Sequence, residues 1–253
     1  MIKVIHKSDP QSISLAAQIS SRLPIHNDDV LLVIAVGGDG TILRAIHDHI
    51  DQLDSTIFFG VRSGHLGFFT DYTESSIDQL IQDITNNQYS LTTFDLLEAC
   101  VTHDGKDTHF MCLNEFQLIS GVRTITLNLS LDENRFETFR GNGMVFSTPA
   151  GSTGLNKSLG GAIIDPSLAG VQITEVAPIN SNAYRTIGSP MVVNVSRHIE
   201  VTSEPTELEF SYDHMQIHLQ NFTKLELLPT PKKVQIAQID DVNFFERVKK
   251  AFL

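Results

Sequence analysis

Apolar and polar positions divide the first 95 residues into short apolar runs and longer amphipathic stretches. The apolar runs predict buried strands, and the stretches with apolar residues at helical spacing predict helices. In chain order these segments read "IKVIH", "SISLAAQISSRL", "VLLVIAV", "TILRAIHDHIDQL", "TIFFGV" and "ESSIDQLIQDITNN". Because strands that alternate with helices favour a parallel sheet covered by helices, residues 1–95 are predicted to form an α/β domain.

Near residue 96 the pattern changes to short strands separated by turns. Asp104-Gly105 predicts a hairpin, and further strand-like runs include "TITLNLSL", "MVVNV", "HIEVTS", "LEFSYD" and "KLELL". Residues 96–235 are therefore predicted to form a β-rich, β-sandwich-like domain. The amphipathic end "VNFFERVKKAFL" predicts a closing helix, and we expect residues 236–253 to pack back on the N-terminal domain.

Composition and charge narrow the class of protein. Hydrophobic residues fill 41% of the 253 positions, which is enough for a buried core. No apolar run reaches the about 18 residues of a membrane span, and the start "MIKVIHKSDP" resembles a strand and a turn rather than a signal peptide. A net charge of −12 argues against nucleic-acid binding, although local amides and cations can still hold a small anion. We expect a cytoplasmic protein with no nucleic-acid or membrane partner.

The two cysteines, Cys100 and Cys112, lack the spacing of a zinc or redox motif. They could face each other across the predicted hairpin. In a protein without an export signal they are expected to be reduced thiols.

A glycine-rich turn follows the buried strand at residues 30–36, with Asp39 between Gly37-Gly38 and Gly40. The carboxyl end of a parallel strand faces the ligand crevice of an α/β sheet. Glycines there allow positive φ and a close approach of the backbone to a ligand, and amides at a helix start attract phosphate. The carboxylate could take a proton from an attacking hydroxyl or orient a metal-bound phosphate. The alternative is a tight turn with a solvated aspartate.

Two polar stretches interrupt the β-rich region. Asn114-Glu115 lies within a strand-like run, where the pair suits a base edge and a ribose diol; the alternative is a strand end with both side chains in water. The segment 140–166 holds many glycine, hydroxyl and amide residues, which predicts a functional loop rather than a plain surface loop. No GxGxxG follows a strand, and "GLNKS" at 154–158 lacks the glycine that a P-loop places before lysine.

Taken together, these motifs resemble the NAD kinase family. The matching elements, in order, are "GGDG" (37–40), "FGVRSGHLGFFTD" (59–71), Asn114-Glu115, "STPAGSTGLNKSLGG" (147–161) and the tail "FFERVKKAF", so that the resemblance covers residues 30–253. The GGDG motif alone is shared with diacylglycerol-kinase-like and phosphofructokinase-like enzymes. The order and spacing of the whole set are specific.

The resemblance implies an α/β N-terminal domain and a β-rich C-terminal domain. It also implies transfer of the γ-phosphoryl group of ATP, or of polyphosphate, to the 2′-hydroxyl of the adenosine ribose of NAD, giving NADP. Asp39 matches the position expected to act as general base. Mg²⁺ is expected with ATP, held mainly by substrate phosphates because no dedicated set of metal ligands is visible. The family also implies a homodimer or homotetramer.

Nucleotide contacts are implied residue by residue, with Asp213 and His214 at positions that members often supply from another subunit. The full set is Gly38, Gly40, Arg44, Leu66, Phe68, Asn114, Glu115, Arg140, Asn142, Ala150, Thr153, Gly154, Leu155, Asn156, Lys157, Ser158, Ala177, Asp213 and His214. The sequence departs from the family pattern at Arg62, Asn142, Ala150 and Leu155, which concerns recognition of the base and the nicotinamide.

Two other functions fit parts of the sequence. A GGDG-type kinase for another acceptor, such as a lipid, would need an apolar entrance, whereas residues 147–161 are polar and rich in glycine. A non-catalytic NAD sensor is suggested by the departures at 142 and 155, but a sensor has no use for a base at Asp39.

Overall fold

The computed structural model describes residues 1–23, 30–64, 67–182, 184–239 and 243–253. The chain forms two compact units, of which the first comprises Met1–Asp95 with Lys232–Leu253 and the second Leu96–Pro231. Two long strands, β5 (Ser90–His103) and β14 (Met215–Gln238), contain the boundaries between these units.

The first unit is a parallel sheet with helices. Its other strands and its helices are β1 (Ile2–His6), α1 (Pro10–Ser20), β2 (Leu31–Gly37), α2 (Asp39–Asp48), β3 (Thr56–Arg62), β4 (Tyr72–Thr73), α3 (Ile77–Asn86) and α5 (Phe244–Phe252). Strand β2 lies between β1 and β3, and the end of β14 adds to β3; all these pairings are parallel. The predicted α/β class is confirmed for this unit.

The helices of the first unit cover the sheet with apolar faces. Every residue of β2 is buried, as expected for a central parallel strand. Helix α1 begins after Asp9, whose side chain accepts the Ser12 amide at 3.0 Å. The core of this unit packs Ile19 of α1 and Leu80 of α3 against Ile34 of β2.

The second unit is antiparallel. Its other elements are β6 (Lys106–Cys112), β7 (Glu115–Ile119), β8 (Ile125–Leu131), β9 (Asn134–Gly141), β10 (Gly143–Ser147), the one-turn helix α4 (Leu155–Ser158), β11 (Gly170–Val176), β12 (Met191–Asn194) and β13 (Ile199–Tyr212). Strand β13 pairs with β14, β7 and β8, while β7, β10, β11 and β12 follow one another across the sheet. Buried aromatic side chains, including Phe116, Phe146 and Phe210, fill its core. The predicted β-rich character is confirmed.

The segment 140–166 is more ordered than a loop. It contains the end of β9, the fully buried strand β10, a 3₁₀ turn at Ala150–Thr153 and helix α4. The reading of this segment as a plain surface loop is therefore wrong. Strands β9, β10 and β11 were not predicted as strands, because their polar and glycine residues hide the apolar alternation.

The hairpin at Asp104-Gly105 forms as predicted, but the cysteines do not face each other. Both turn residues have positive φ (49° and 69°), as a two-residue turn between antiparallel strands requires. That turn sets a register in which Cys100 opposes His109 and Cys112 opposes Leu97. Both cysteines are free and buried, and burial raises the pKa of each thiol.

His214 lies in the tight turn between β13 and β14. In the described ranges no helix is long and apolar enough to cross a membrane.

Candidate active site

Asp39 is the first residue of α2, directly after the glycines that end β2. A Cβ on Gly37 would lie 2.2 Å from Thr41 Oγ1, so this position requires glycine. Gly38 caps the helix with φ −108°, and Gly40 is helical, so the positive φ predicted for these two glycines is absent. A Cβ on either would meet no atom within 4 Å, which leaves their backbone open to a ligand.

The carboxylate of Asp39 is held by two backbone amides. Oδ2 accepts the N–H of Phe68 at 2.8 Å, and Oδ1 accepts the N–H of Phe69 at 3.0 Å. Gly67 lies so close that a Cβ there would be 2.2 Å from Asp39 Oδ1. The segment "GFF" therefore wraps around the carboxylate, and the alternative of a solvated aspartate in a simple turn does not hold.

Burial raises the pKa of Asp39 above its usual 3.8, because the carboxylate loses hydration. The amides of Phe68 and Phe69 and the positive charge of Arg247 oppose this rise, while Asp71 adds to it. Asp39 is thus a stronger base than a solvated aspartate and still has donors for its ionised form.

A buried ion pair lies behind this amide pair. Arg247 of α5 is only 4% exposed, and both of its terminal nitrogens donate to Asp71, Nη2 at 2.7 Å. Arg247 Nη1 also donates to the carbonyl of Phe68 at 3.3 Å. The Phe68 ring packs against Phe244 and Phe252, with centroids 6.4 and 5.8 Å away. This ion pair was not predicted; its signal in the sequence is an arginine on the apolar face of the amphipathic C-terminal helix.

In the second unit, Asn114 precedes β7 and Glu115 is its first residue. Glu115 is 6% exposed, so the alternative of a strand end in water is wrong. Asn114 Oδ1 and Glu115 Oε2 are buried and accept no hydrogen bond from the residues that the structure describes. Buried polar atoms are nearly always paired in native proteins, so these two acceptors suit the hydroxyl or amino donors of a ligand.

Asp213 supports this pair from the turn between β13 and β14. Its Oδ2 and Oδ1 accept the amides of Leu113 (2.9 Å) and Asn114 (2.6 Å), and its own amide donates to the Glu115 carbonyl at 3.1 Å. Burial and the charge of Asp213 raise the pKa of Glu115 to about 7. Asp213 therefore fixes the backbone of this pair and adds to the effect of burial on the pKa of Glu115. His214 is exposed beside it.

The residues after β10 pack directly on Asn114. The Thr148 amide donates to the Asn114 carbonyl at 2.8 Å. A Cβ on Gly151 would lie 2.2 Å from that carbonyl oxygen, and one on Gly154 would lie 3.9 Å from Glu115 Oε2. The structure thus brings Asn114, Glu115, Gly154 and Asp213 together, with Ala150 and Thr153 in the intervening 3₁₀ turn.

Helix α4 presents two kinds of side chain. Leu155, Lys157 and Ser158 are exposed. Asn156 is fully buried, and its Oδ1 accepts the Thr174 hydroxyl at 2.8 Å, which gives its side chain a structural role. Contacts of these four residues with a nucleotide remain predictions.

Three further predicted residues lie around the ends of β9 and β11. Asn142 donates through Nδ2 to the Ser120 carbonyl at 3.0 Å. The Arg140 guanidinium lies over the Tyr184 ring, 5.1 Å from its centroid. Ala177 is exposed with φ 47°, a left-handed conformation that costs energy for a residue with a Cβ and is common at functional sites.

The remaining predicted residues belong to the first unit. Arg44 of α2 donates through Nη2 to the His6 carbonyl at 2.7 Å. Leu66 lies outside the described residues.

The carboxylates around Asp39 indicate how Mg²⁺ would be held. Among the described residues, the carboxylates acting there are Asp39, which binds two amides, and Asp71, which is paired with Arg247. This fits a magnesium ion held mainly by substrate phosphates rather than by a protein cage. A separate group, His198, Glu200 and Glu226, has ligand atoms within 4.8 Å of one another but contains no predicted site residue.

Comparison with known proteins agrees with this arrangement. The family models of the ATP-NAD kinase N-terminal and C-terminal domains match residues 4–89 and 113–237. A curated relative, the NAD kinase of Leuconostoc citreum (strain KM20), is 36% identical over 242 residues, covering 95% of this chain and 91% of the relative.

Two solved structures share the fold. Yeast NADH kinase complexed with NADH superposes with a TM-score of 0.84 at 16% identity, over 98% of this chain and 86% of that one. An NAD kinase from Archaeoglobus fulgidus in complex with ATP gives 0.76 at 20% identity, over 98% of both chains. Because the two family models and the full-length relative agree, the chain belongs to the ATP-NAD kinase family.

Proposed function

We propose that the protein transfers the γ-phosphoryl group of ATP to the 2′-hydroxyl of the adenosine ribose of NAD, giving NADP and ADP. The observation that carries this proposal is Asp39, a half-buried carboxylate with a raised pKa in an open glycine turn at the end of β2. The L. citreum relative, itself named an NAD kinase, supports the same reaction.

Asp39 has the chemistry of a general base in this reaction. The ribose 2′-oxygen forms a bond to the γ-phosphorus, the bond from that phosphorus to the bridging oxygen breaks, and ADP leaves. The hydroxyl proton passes to Asp39 as the new bond forms. Phosphoryl transfer depends mainly on positioning and charge stabilisation, and the open backbone of Gly38 and Gly40 at the start of α2 offers amides to the phosphates.

Asn114 and Glu115 have the chemistry of an adenosine site. Their unpaired buried oxygens accept hydrogen bonds from ribose hydroxyls or the adenine amino group. The other predicted nucleotide contacts of the second unit, from Arg140 to His214, are proposed to bind the same NAD molecule.

Magnesium, when bound with ATP, would neutralise phosphate charge. The structure of the A. fulgidus relative holds ATP, which supports ATP as a donor, with polyphosphate as the alternative. A homodimer or homotetramer and a cytoplasmic location complete the proposal, with the exposed His214 turn available to another subunit.

One incubation tests the reaction. The protein is mixed with Mg·ATP and NAD, and the products are separated by chromatography; we expect NADP and ADP in equal amounts, and none when EDTA removes the metal. A parallel incubation replaces NAD with diacylglycerol vesicles, where no phosphorylated lipid is expected. A phosphorylated lipid without NADP would establish the lipid kinase, and NAD binding without any product would establish the sensor.

A further inference from the structure

The C-terminal helix α5 contacts the segment that holds Asp39. Arg247 Nη1 donates to the carbonyl oxygen of Phe68 at 3.3 Å. That carbonyl and the N–H of Phe69 belong to the same peptide group, and this N–H donates to Asp39 Oδ1 at 3.0 Å. A chain of hydrogen bonds therefore runs from the guanidinium through one peptide group to the carboxylate.

Such a chain is cooperative. A cation that binds a peptide carbonyl polarises the peptide group, and its N–H becomes a stronger donor. Arg247 is held for this contact because its fork also binds both carboxylate oxygens of Asp71. Asp71 in turn accepts the amide of Ile239 at 3.3 Å, which ties the pair to the end of β14.

The arrangement goes beyond what the ion pair needs for stability. Asp71 alone would satisfy two nitrogens of Arg247, yet Arg247 makes a third contact to the Phe68 carbonyl, which belongs to one of the two peptide groups whose N–H reaches Asp39. The Phe68 ring lies against Phe244 and Phe252 of the same helix, so the peptide group is fixed from its side chain as well.

We propose that Arg247 is a positioning residue of the phosphoryl transfer: it fixes the Phe68–Phe69 peptide group, and through it the orientation and ionised state of Asp39. This inference rests on the proposed role of Asp39 as general base. A lysine could not replace Arg247, because it lacks the planar fork that binds Asp71 and the carbonyl together.

Three variants test the proposal. Arg247→Met removes the guanidinium, Asp71→Asn removes its partner, and the double variant removes both without leaving a buried unpaired charge. Lys250→Met, an exposed change in the same helix, is the matched control. Circular dichroism gives the folded fraction by which each rate is divided.

The readout is kcat for NADP formation against pH at saturating NAD and Mg·ATP. The positive charge of Arg247 lowers the pKa of Asp39 and the negative charge of Asp71 raises it, with the larger contribution from Arg247. The acidic limb of the profile should therefore move to higher pH in Arg247→Met, less far in the double variant, and to lower pH in Asp71→Asn. At pH 7, kcat of Arg247→Met should fall about tenfold with an unchanged KM for NAD, the size of a hydrogen bond to a charged group.

The outcomes separate this inference from the proposed function. If the wild-type protein forms no NADP, the proposed function fails. If Asp39→Asn turns over normally, Asp39 is not the base, and its proposed role fails together with this inference. If Asp39→Asn is inactive while the folded Arg247 variants keep the wild-type kcat and pH profile, Arg247 is merely structural and this inference alone is overturned. Should Arg247→Met fail to fold, the double variant and Asp71→Asn decide by the opposite directions of their shifts.

Discussion

The carboxylates of the half-buried Asp39 and the buried Glu115 both have raised pKa values, yet their surroundings differ in one respect. Both oxygens of Asp39 accept backbone amides supplied by the chain itself. One oxygen of Glu115 accepts a hydrogen bond from Gln117 at 3.3 Å, and the other has no partner within the described part of the chain. The protein thus completes the surroundings of its proposed base, whereas it leaves those of its proposed adenosine site for a ligand to complete.

Because of this difference, the two groups would contribute to catalysis in different ways. A carboxylate held in advance by fixed donors loses no binding energy to reorientation when the reaction starts. An unpaired buried oxygen destabilises the free protein and is satisfied on binding, so its contribution is to ligand affinity. Changes at Asp39 should therefore alter kcat, and changes at Glu115 should alter KM for NAD.

The largest expected effect comes from Asp39→Asn. We expect kcat to fall by about 10²–10⁴-fold with unchanged NAD affinity, since an amide cannot take the hydroxyl proton. The fold should persist, because the loss of one amide contact is offset by removal of a buried charge. Steady-state kinetics and calorimetric titration with NAD measure the two quantities. Asp48→Asn, an exposed change in the same helix, is the control, and equal losses in both variants would contradict the assignment.

Glu115→Gln tests the proposed role of Glu115 in NAD binding. Glutamine can keep the acceptor for Gln117 but places an NH₂ group where the unpaired oxygen was. Loss of a hydrogen bond to a charged group, about 1.5–3 kcal/mol, should raise the dissociation constant for NAD by roughly 10–100-fold and leave that for ATP nearly unchanged. The control is the exposed Glu204→Gln. Equal weakening of NAD and ATP would count against an adenosine role.

The same substitution has a consequence for stability against pH. Because the pKa of Glu115 is raised to about 7, the folded protein binds a proton there more tightly than the unfolded chain, whose value is 4.5. This contribution to stability is fully present below pH 4.5 and is lost as pH rises through about 7. Glu115→Gln should remove that part of the pH dependence in denaturant unfolding at pH 5 and pH 8. An identical difference between the two pH values in wild type and variant would show that Glu115 is not a buried acid.

Asp213→Asn should give a smaller loss. Asparagine can accept only one of the two amides that Asp213 now holds, so the Asn114-Glu115 pair is less well fixed, and NAD affinity should fall about tenfold. Removal of the negative charge also lowers the pKa of Glu115, so the pH dependence of NAD binding should shift to lower pH. Titrations with NAD across pH 5–8 measure both effects, and a shift to higher pH would contradict the electrostatic part.

The smallest effect is expected from Leu155→Tyr. Leu155 is 37% exposed, so a larger ring can be added without disturbing the core. Stacking on a ligand ring contributes about 0.5–1.5 kcal/mol, which would lower KM for NAD by roughly two- to tenfold. Leu168→Tyr, at a 59% exposed position outside the proposed site, is the control. The change Asn142→Asp is less promising, because Asn142 donates to the Ser120 carbonyl and aspartate cannot.

The fold was largely predictable, because in most elements the spacing of apolar residues in the sequence matches that of a strand or a helix. Strand β2 is an unbroken apolar run, and the helices show apolar residues on one face. Strands β9 to β11 escaped prediction because glycines stand at their ends, with Gly141 last in β9, Gly143 first in β10 and Gly170 first in β11. The relation of Cys100 to Cys112 depends on hairpin register, which a two-residue turn fixes and the spacing of cysteines does not.

Within the candidate site, the sequence pointed to the proposed catalytic and binding residues but not to the residues that hold them in place. Asp39 and Asn114-Glu115 stood out because polar groups interrupt apolar runs there. Arg247 and Asp71 are 176 positions apart, and no local pattern indicates that they meet. The left-handed conformations of Ala177 and Asp213 were equally hidden, since neither residue type requires positive φ. Long-range pairing and local strain are properties of the folded chain.

NADP formation against NAD concentration, in wild type, Asp39→Asn and Glu115→Gln at saturating Mg·ATP, tests the central claim most directly. We predict that Glu115→Gln approaches the wild-type rate once NAD is raised by roughly 10–100-fold, because its defect lies in binding. We predict that Asp39→Asn remains about 10²–10⁴-fold slower at every NAD concentration, because its defect lies in proton transfer. If Asp39→Asn instead reached the wild-type rate at high NAD concentration, and Glu115→Gln stayed slow at saturating NAD, the two residues would have the opposite roles.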